Sequence, residues 1–152
     1  MPILRISTNP DELDLPRIHQ FLSTESTWAR GIPFATLEAA VRNSLCFGGY
    51  LDDGQLIAFA RVVTDRATFA NLLDVFVLPQ YRGQGFSKTL LQCVFAHPDL
   101  QNLRRFTLAT GDAHGLYAQF GFTAPVFPGT LMERYMPGIY SKYAGRCRQE
   151  AQ

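Results

Sequence analysis

The residues best suited to chemistry lie between Val75 and Ser87, where an apolar strand runs through Pro79 into Gln80-Tyr81-Arg82-Gly83-Gln84-Gly85 and then into a helical pattern. Glycines at 83 and 85 allow backbone conformations that other residues avoid. Successive N–H groups can therefore turn toward one point at the positive end of the following helix dipole. Such a loop suits a phosphate. Arg82 adds a planar cation that matches phosphate oxygens, and Lys88, one turn into the helix, offers a second charge.

Two common nucleotide loops do not fit. A dinucleotide fingerprint needs a third glycine where Lys88 stands and an acidic residue about 20 positions on, where the chain has Arg104 and Arg105. A P-loop needs a glycine before Lys88-Thr89 and another five residues earlier, and Ser87 and Arg82 occupy those places. What remains resembles the acyl-CoA loop of the GNAT family of N-acetyltransferases: Gln or Arg, two residues, Gly, one residue, then Gly or Ala. Gln80 to Gly85 matches it at every fixed position. The context agrees. Val77-Leu78-Pro79 precedes the loop, and Phe86, Leu90, Val94 and Phe95 line one helical face until His97-Pro98 ends it. Farther on, Leu116-Tyr117-Ala118-Gln119-Phe120-Gly121-Phe122 resembles the family's second signature, a Leu-Tyr pair followed by Gly-Phe.

The resemblance implies acyl transfer from the thioester of acetyl-CoA to an amine, by direct attack in a ternary complex. By position, the backbone of Val75, Phe76 and Val77 would meet the pantetheine and the thioester carbonyl. The loop residues Arg82, Gly83, Gln84, Gly85, Phe86, Ser87 and Lys88 would hold the pyrophosphate. Tyr117 matches the family tyrosine near the CoA sulfur, and a phenol of pKa near ~10 is protonated at neutral pH and can act as a general acid. The same side chain would also serve as an ordinary helix-to-sheet contact. Many members carry an Asn where this chain has Thr110, so Thr110 or Asp112 would have to supply that pantetheine contact by hydrogen bonding.

A base is harder to assign. Asp74 interrupts an apolar strand, Leu72-Leu73-Asp74-Val75-Phe76-Val77, and a carboxylate is costly to bury there without a partner. It either takes the acceptor's proton, directly or through water, or forms an ion pair with an arginine such as Arg61. Asp65 and Glu38 are weaker candidates, and a chain of waters without an assigned base is a third arrangement. His114, alone in a helix's first turn, reads as structural. In the family the connection between the first two helices helps to wall the acceptor site, which singles out Trp28, Arg30 and Phe34 for a small-molecule primary amine. The rival from another class is a non-catalytic acyl-CoA-binding sensor.

Length and composition set the frame. With 152 residues, 47% of them hydrophobic, the chain can bury one core, placed at residues 3–136 with a tail over 137–152. Formal net charge is +1 and no basic run exceeds Arg104-Arg105, which argues against nucleic acid and anionic membrane as partners. No leader pattern and no apolar run of roughly 18 residues is present, which points to a cytoplasmic protein. Cys46, Cys93 and Cys147 lack metal-ligand spacing and fit reduced thiols, so no metal is expected.

The elements that must position these groups follow from pattern. Ile3 to Ile6 reads as a strand, Asn9 to Glu12 as a turn, and a helix should start at an Asp14 cap with Pro16 in its first turn. A second helix is expected from about Leu37 to Asn43. Leu45 to Leu51 and Gln55 to Val63 read as a hairpin around Asp52-Asp53-Gly54. Thr68 to Leu78, the helix over 86–96 and the strand from Arg105 give a β-α-β crossover. Asp112 is expected to cap a short helix over 113–120, and Phe122 to Phe127 and Leu131 to Tyr135 are expected as closing strands. The resulting class is α/β (α+β): a mixed, mostly antiparallel sheet with a central crossover and flanking helices. Exposed strand edges near the C-terminus leave a homodimer open.

Overall fold

The computed structural model describes residues 2–141. Its centre is the hairpin of β2 (Leu45–Tyr50) and β3 (Leu56–Thr64), in which every β2 residue is buried and most of β3 is too. The turn forms as its residues dictate: Leu51 N–H donates to Gln55 O at 3.0 Å, and Asp53 Oδ1 accepts from Gln55 N–H at 2.9 Å. β1 (Arg5–Ser7) lies antiparallel on β2, and β4 (Phe69–Val77) lies antiparallel on β3. The crossover through α3 (Phe86–Ala96) brings β5 (Arg105–Leu108) parallel to β4, so the sheet runs β1-β2-β3-β4-β5. This is the mixed, mostly antiparallel architecture that the sequence implied. Leu90, Leu91 and Val94 of α3 are fully buried, as the helical stripe requires.

On the N-terminal side, α1 (Leu15–Gln20) starts where expected, with Asp14 Oδ1 accepting from Arg17 N–H at 3.1 Å. It widens into a π-helical turn over Phe21–Glu25, closed by Ser26 N–H donating to Phe21 O at 2.9 Å. The hydroxyls of Ser23, Thr24 and Ser26 donate back to the carbonyls of His19, Gln20 and Leu22. Such back-bonding competes with the regular ladder and bends helices. α2 (Phe34–Arg42) follows.

Two expectations fail near the C-terminus. The short helix α4 (His114–Ala118) has Ala113 and not Asp112 at its N-cap and no side-chain cap; Thr110 Oγ1 accepts from the Ala113 N–H at 3.0 Å just ahead of it. The segments 122–127 and 131–135 form no strands; after α4 the only regular element among the described residues is a 3-10 turn at Pro128–Thr130. Pro125 and Pro128 cannot donate to a ladder, and the 3-10 turn interrupts the extended run before Leu131. Cys147 and the charged tail from Arg146 lie outside the described residues.

Candidate active site

The site is built around an irregularity in β4. Phe59 pairs with Phe76 and Arg61 with Leu73, so Asp74 and Val75 together oppose Ala60 in a bulge. Asp74 accommodates the extra residue with a positive φ of 55°, a conformation that Asp tolerates better than most side chains. Past the bulge, β4 leaves β5. Their pairing covers only Phe69 to Leu72 against Arg105 to Leu108, so the backbone from Leu73 to Val77 lacks a neighbour on that side.

β4 then delivers the chain into the glycine loop. Gly83 and Gly85 adopt φ of 78° and 82°, and Gly85 opens α3 without any side-chain cap. None of the N–H groups from Gly83 to Lys88 donates to an acceptor among the described residues, which leaves six successive donors at the positive end of an eleven-residue helix. A Cβ at either glycine would point into open space, so the approach to these donors is unobstructed. Two contacts hold the loop in place. Arg82 Nε donates to Val77 O at 2.9 Å, and the Tyr81 hydroxyl donates to Gln55 Oε1 of the hairpin turn at 2.8 Å.

Bulge, splay and loop share one cleft of about 490 Å³. Val75, Phe76, Val77, Arg82, Gly83, Gly85, Phe86, Ser87 and Asp112 all line it, together with Tyr117 and Trp28. Gln84 and the exposed Lys88 belong to the loop but not to this wall. Arg30 and Phe34 stand apart: Arg30 Nε reaches only Ser26 O, and Phe34 packs edge-on against His19 at 5.3 Å. Asp65 caps the β3–β4 turn, accepting from the backbone of Ala67, Thr68 and Phe69 and from the Thr68 hydroxyl. Those bonds hold its carboxyl well below the usual range. Glu38 pairs with Arg42 on α2. Neither lines the cleft.

Tyr117 enters from α4. Its ring meets Phe122 at 6.1 Å, and Phe122 in turn packs on Phe95 and Phe106, which ties α4 to α3 and β5. Burial, and then the nearby Asp112 carboxylate, push the Tyr117 phenol above its ordinary pKa, so it stays protonated at neutral pH. Its hydroxyl makes no hydrogen bond to the described residues.

Asp74 is engaged on both oxygens. Oδ2 accepts from Arg61 Nε at 2.8 Å and Oδ1 from Trp28 Nε1 at 2.9 Å, while Arg61 Nη1 donates to Ser44 Oγ at 3.2 Å. The ion pair with Arg61, one of the two arrangements foreseen, is thus formed, and it holds Trp28 at the cleft wall. The wall's other part is not among the residues that motif or spacing singled out. Glu25, Ser26 and Thr27 line the cleft because the π-helical turn places them there, and Phe21 of the same turn stacks on Phe76 at 4.1 Å. The only available signal was the hydroxyl cluster Ser23, Thr24 and Ser26. Among the described residues no group of three or more His, Cys, Asp or Glu side chains is arranged to hold a metal ion.

Comparison with known proteins agrees with this geometry. The model of the acetyltransferase (GNAT) family matches residues 15–122. A crystal structure of a candidate acetyltransferase of that family from Xanthomonas campestris pv. campestris is 59% identical, with a TM-score of 0.90 over 93% of this chain and 99% of that one. A candidate acetyltransferase of Gibberella zeae is 30% identical, the match covering 75% of each chain. A candidate acetyltransferase of Clostridium acetobutylicum, solved with acetyl-CoA, shares the fold at 14% identity, with a TM-score of 0.63 over 89% of this chain and 96% of that one. From the glycine loop to the family match, these observations converge, and the chain belongs to the GNAT family of acyltransferases.

Proposed function

We propose that the protein is an acetyl-CoA-dependent N-acetyltransferase acting on a small primary amine by direct attack within a ternary complex. The observation that carries this is the run of amides from Gly83 to Lys88, unpartnered among the described residues, in a loop whose Gly83, Gly85, Phe86 and Ser87 line the same cleft as Tyr117 and the splayed backbone of β4. The amides and Arg82 take the pyrophosphate. Leu78 N–H donates to Ile57 O, so by strand alternation the polar groups of Val75 and Val77 face away from β3, toward the splay. A thioester lying there receives hydrogen bonds on its carbonyl oxygen, where negative charge develops as the amine attacks.

The neutral amine forms the new C–N bond, the C–S bond breaks, and the amine's proton leaves to water. Tyr117, kept protonated by burial, donates its hydroxyl hydrogen to the departing thiolate. Asp74, with both oxygens engaged, serves to fix Trp28 in the acceptor wall rather than to take the proton. Glu25, which has no ion-pair partner among the described residues, supplies the acceptor side with negative charge suited to an ammonium group before it is deprotonated. The test is release of free CoA from acetyl-CoA with a panel of arylalkylamines, amino acids, polyamines, aminoglycosides and lysine peptides, alongside calorimetric titration of acetyl-CoA alone. Turnover with a small amine is expected. Tight binding without turnover on any acceptor would favour the acyl-CoA sensor, and absence of binding would overturn both.

A further inference from the structure

A second cavity, of about 480 Å³, adjoins the first, and the chemistry proposed above does not use it. Phe21 and Glu25 line both. Beyond them the second cavity is walled by Asp14, Arg17 and Gln20 at the start of the same helical run and by Gln80. Arg17, Phe21 and Glu25 recur at every fourth residue, so they stand in one line along that run. Arg17 is the unusual member. It is half-buried, its guanidinium forms no ion pair among the described residues, and its Nε is sheltered from water without a hydrogen-bond partner. Asp14 does not neutralise it, since Asp14 Oδ1 accepts instead from the backbone N–H of Arg17 at 3.1 Å. Nor does Glu25, which is likewise outside every ion pair among the described residues. A charge that gives up water without gaining a counter-ion is costly, and groups of this kind call for an explanation.

Resting on the transferase function proposed above, we infer that Arg17 selects the acceptor and that the acceptor is an elongated amino carboxylate, with its amine beside Glu25 in the first cleft and its carboxylate on Arg17 in the second cavity. A guanidinium fork matches a carboxylate in shape as well as charge. Shelter at Nε leaves the charge poorly hydrated, which strengthens its pull on an anion at the terminal nitrogens. A cationic tail would be repelled there, and a hydrocarbon tail would leave the guanidinium unpaired. Gln20 and Gln80 add amide donors at the same wall. The two charges that the ligand must meet are of opposite sign and well separated. Eight residues of continuous helical turns lie between Arg17 and Glu25, on the order of 10 Å along the axis, so an amine and a carboxylate on one carbon do not span them and a chain of several carbons crossing Phe21 does. The phosphates of acetyl-CoA are not the anion in question, because Arg82, Gly83 and Gly85 line the first cleft and not the second.

Acceptors of one length and different tails test this: ε-aminocaproate, hexylamine and hexamethylenediamine in the CoA-release assay, with calorimetric titration of ε-aminocaproate into the CoA-saturated protein. The wild type is expected to favour ε-aminocaproate over hexylamine by on the order of 10-fold or more in kcat/KM, with the difference in KM. Arg17→Gln is expected to bring that ratio close to unity and to weaken the calorimetric affinity for ε-aminocaproate by a similar factor, while Arg17→Lys, which keeps the charge and loses the fork, retains part of the preference. Unchanged affinity of Arg17→Gln for acetyl-CoA shows that the variant is folded; an affinity lost there would assign Arg17 to the cofactor and overturn the proposal. A preference for hexylamine or the diamine, or a preference for ε-aminocaproate that Arg17→Gln leaves in place, would also overturn it and leave the transferase standing. If no acceptor turns over, calorimetry decides alone. Binding of ε-aminocaproate that depends on Arg17 keeps the carboxylate site and removes the transferase, and absence of binding removes the site.

Discussion

Asp74→Asn separates an anchor from a base. Asparagine keeps the shape of the side chain, tolerates the positive φ of 55°, and retains an oxygen for Trp28 Nε1. What it removes is the charge beside Arg61. The pair is well buried, with Asp74 and Arg61 side chains 8% and 14% exposed at 2.8 Å. Removing one partner of such a pair costs about 3–5 kcal/mol, chiefly because the other charge is left buried alone. Arg61 keeps its bond to Ser44 Oγ, which places the loss near the lower end. At 2–4 °C per kcal/mol for a domain of this size, roughly 3 kcal/mol lowers Tm by about 10 °C. Adding Arg61→Met to Asp74→Asn removes the stranded charge, so thermal unfolding of the double variant should recover at least half of that loss. In the CoA-release assay the double variant should also regain activity, because Trp28 is again held by a settled neighbour. A general base behaves differently: its loss costs on the order of 100-fold or more in kcat whatever stands at position 61. Asp74→Asn with wild-type Tm and activity lost to that degree, in both the single and the double variant, would refute the anchoring role.

Tyr117→Phe should lower kcat by on the order of 100-fold while leaving the calorimetric affinity for acetyl-CoA unchanged, since only the proton donor is removed; a wild-type kcat would take Tyr117 out of the mechanism. Gly83→Val should abolish acetyl-CoA binding, because a β-branched residue is strained at φ 78° and its side chain would fill the space in front of the amides; unchanged affinity would remove the basis for the phosphate site. Alkaline stability should be governed in part by Cys46, whose thiol burial pushes up to about 12 from 9.0. A raised folded-state pKa gives stability that is fully present below pH 9 and lost as pH rises toward 12, about 4 kcal/mol in all. Urea unfolding at about pH 8 and about pH 11 should show roughly two thirds of that loss, and Cys46→Ala should lessen it; equal stability at both pH values in the wild type would contradict it.

What the sequence disclosed about the site was the part written in local rules. The glycine loop, its strand and its helix could be placed because φ above zero, an apolar run and a helical stripe each leave a mark on residue type, and Asp14 announced its cap in the same way. Where a neighbour decides, the signal was lost. Trp28 belongs to the wall and Phe34 does not, though both are large aromatics in one connection, because only Trp28 meets a carboxylate 46 residues away on the β4 bulge. Glu25 was missed because it reaches the cleft through a π-helical turn, and that turn follows from three hydroxyls competing for carbonyls one turn back.

The failure at the C-terminus has the same origin and says more about the protein. Residues 122–127 and 131–135 have the composition of strands, and a strand is defined by its partner as much as by its own side chains. Among the described residues these segments do not join the sheet, and β5 pairs with β4 alone. The glycine loop needed no such partner, because its conformation rests on φ above zero at Gly83 and Gly85 and on the helix it opens, which is why residue type placed the loop and misplaced the strands.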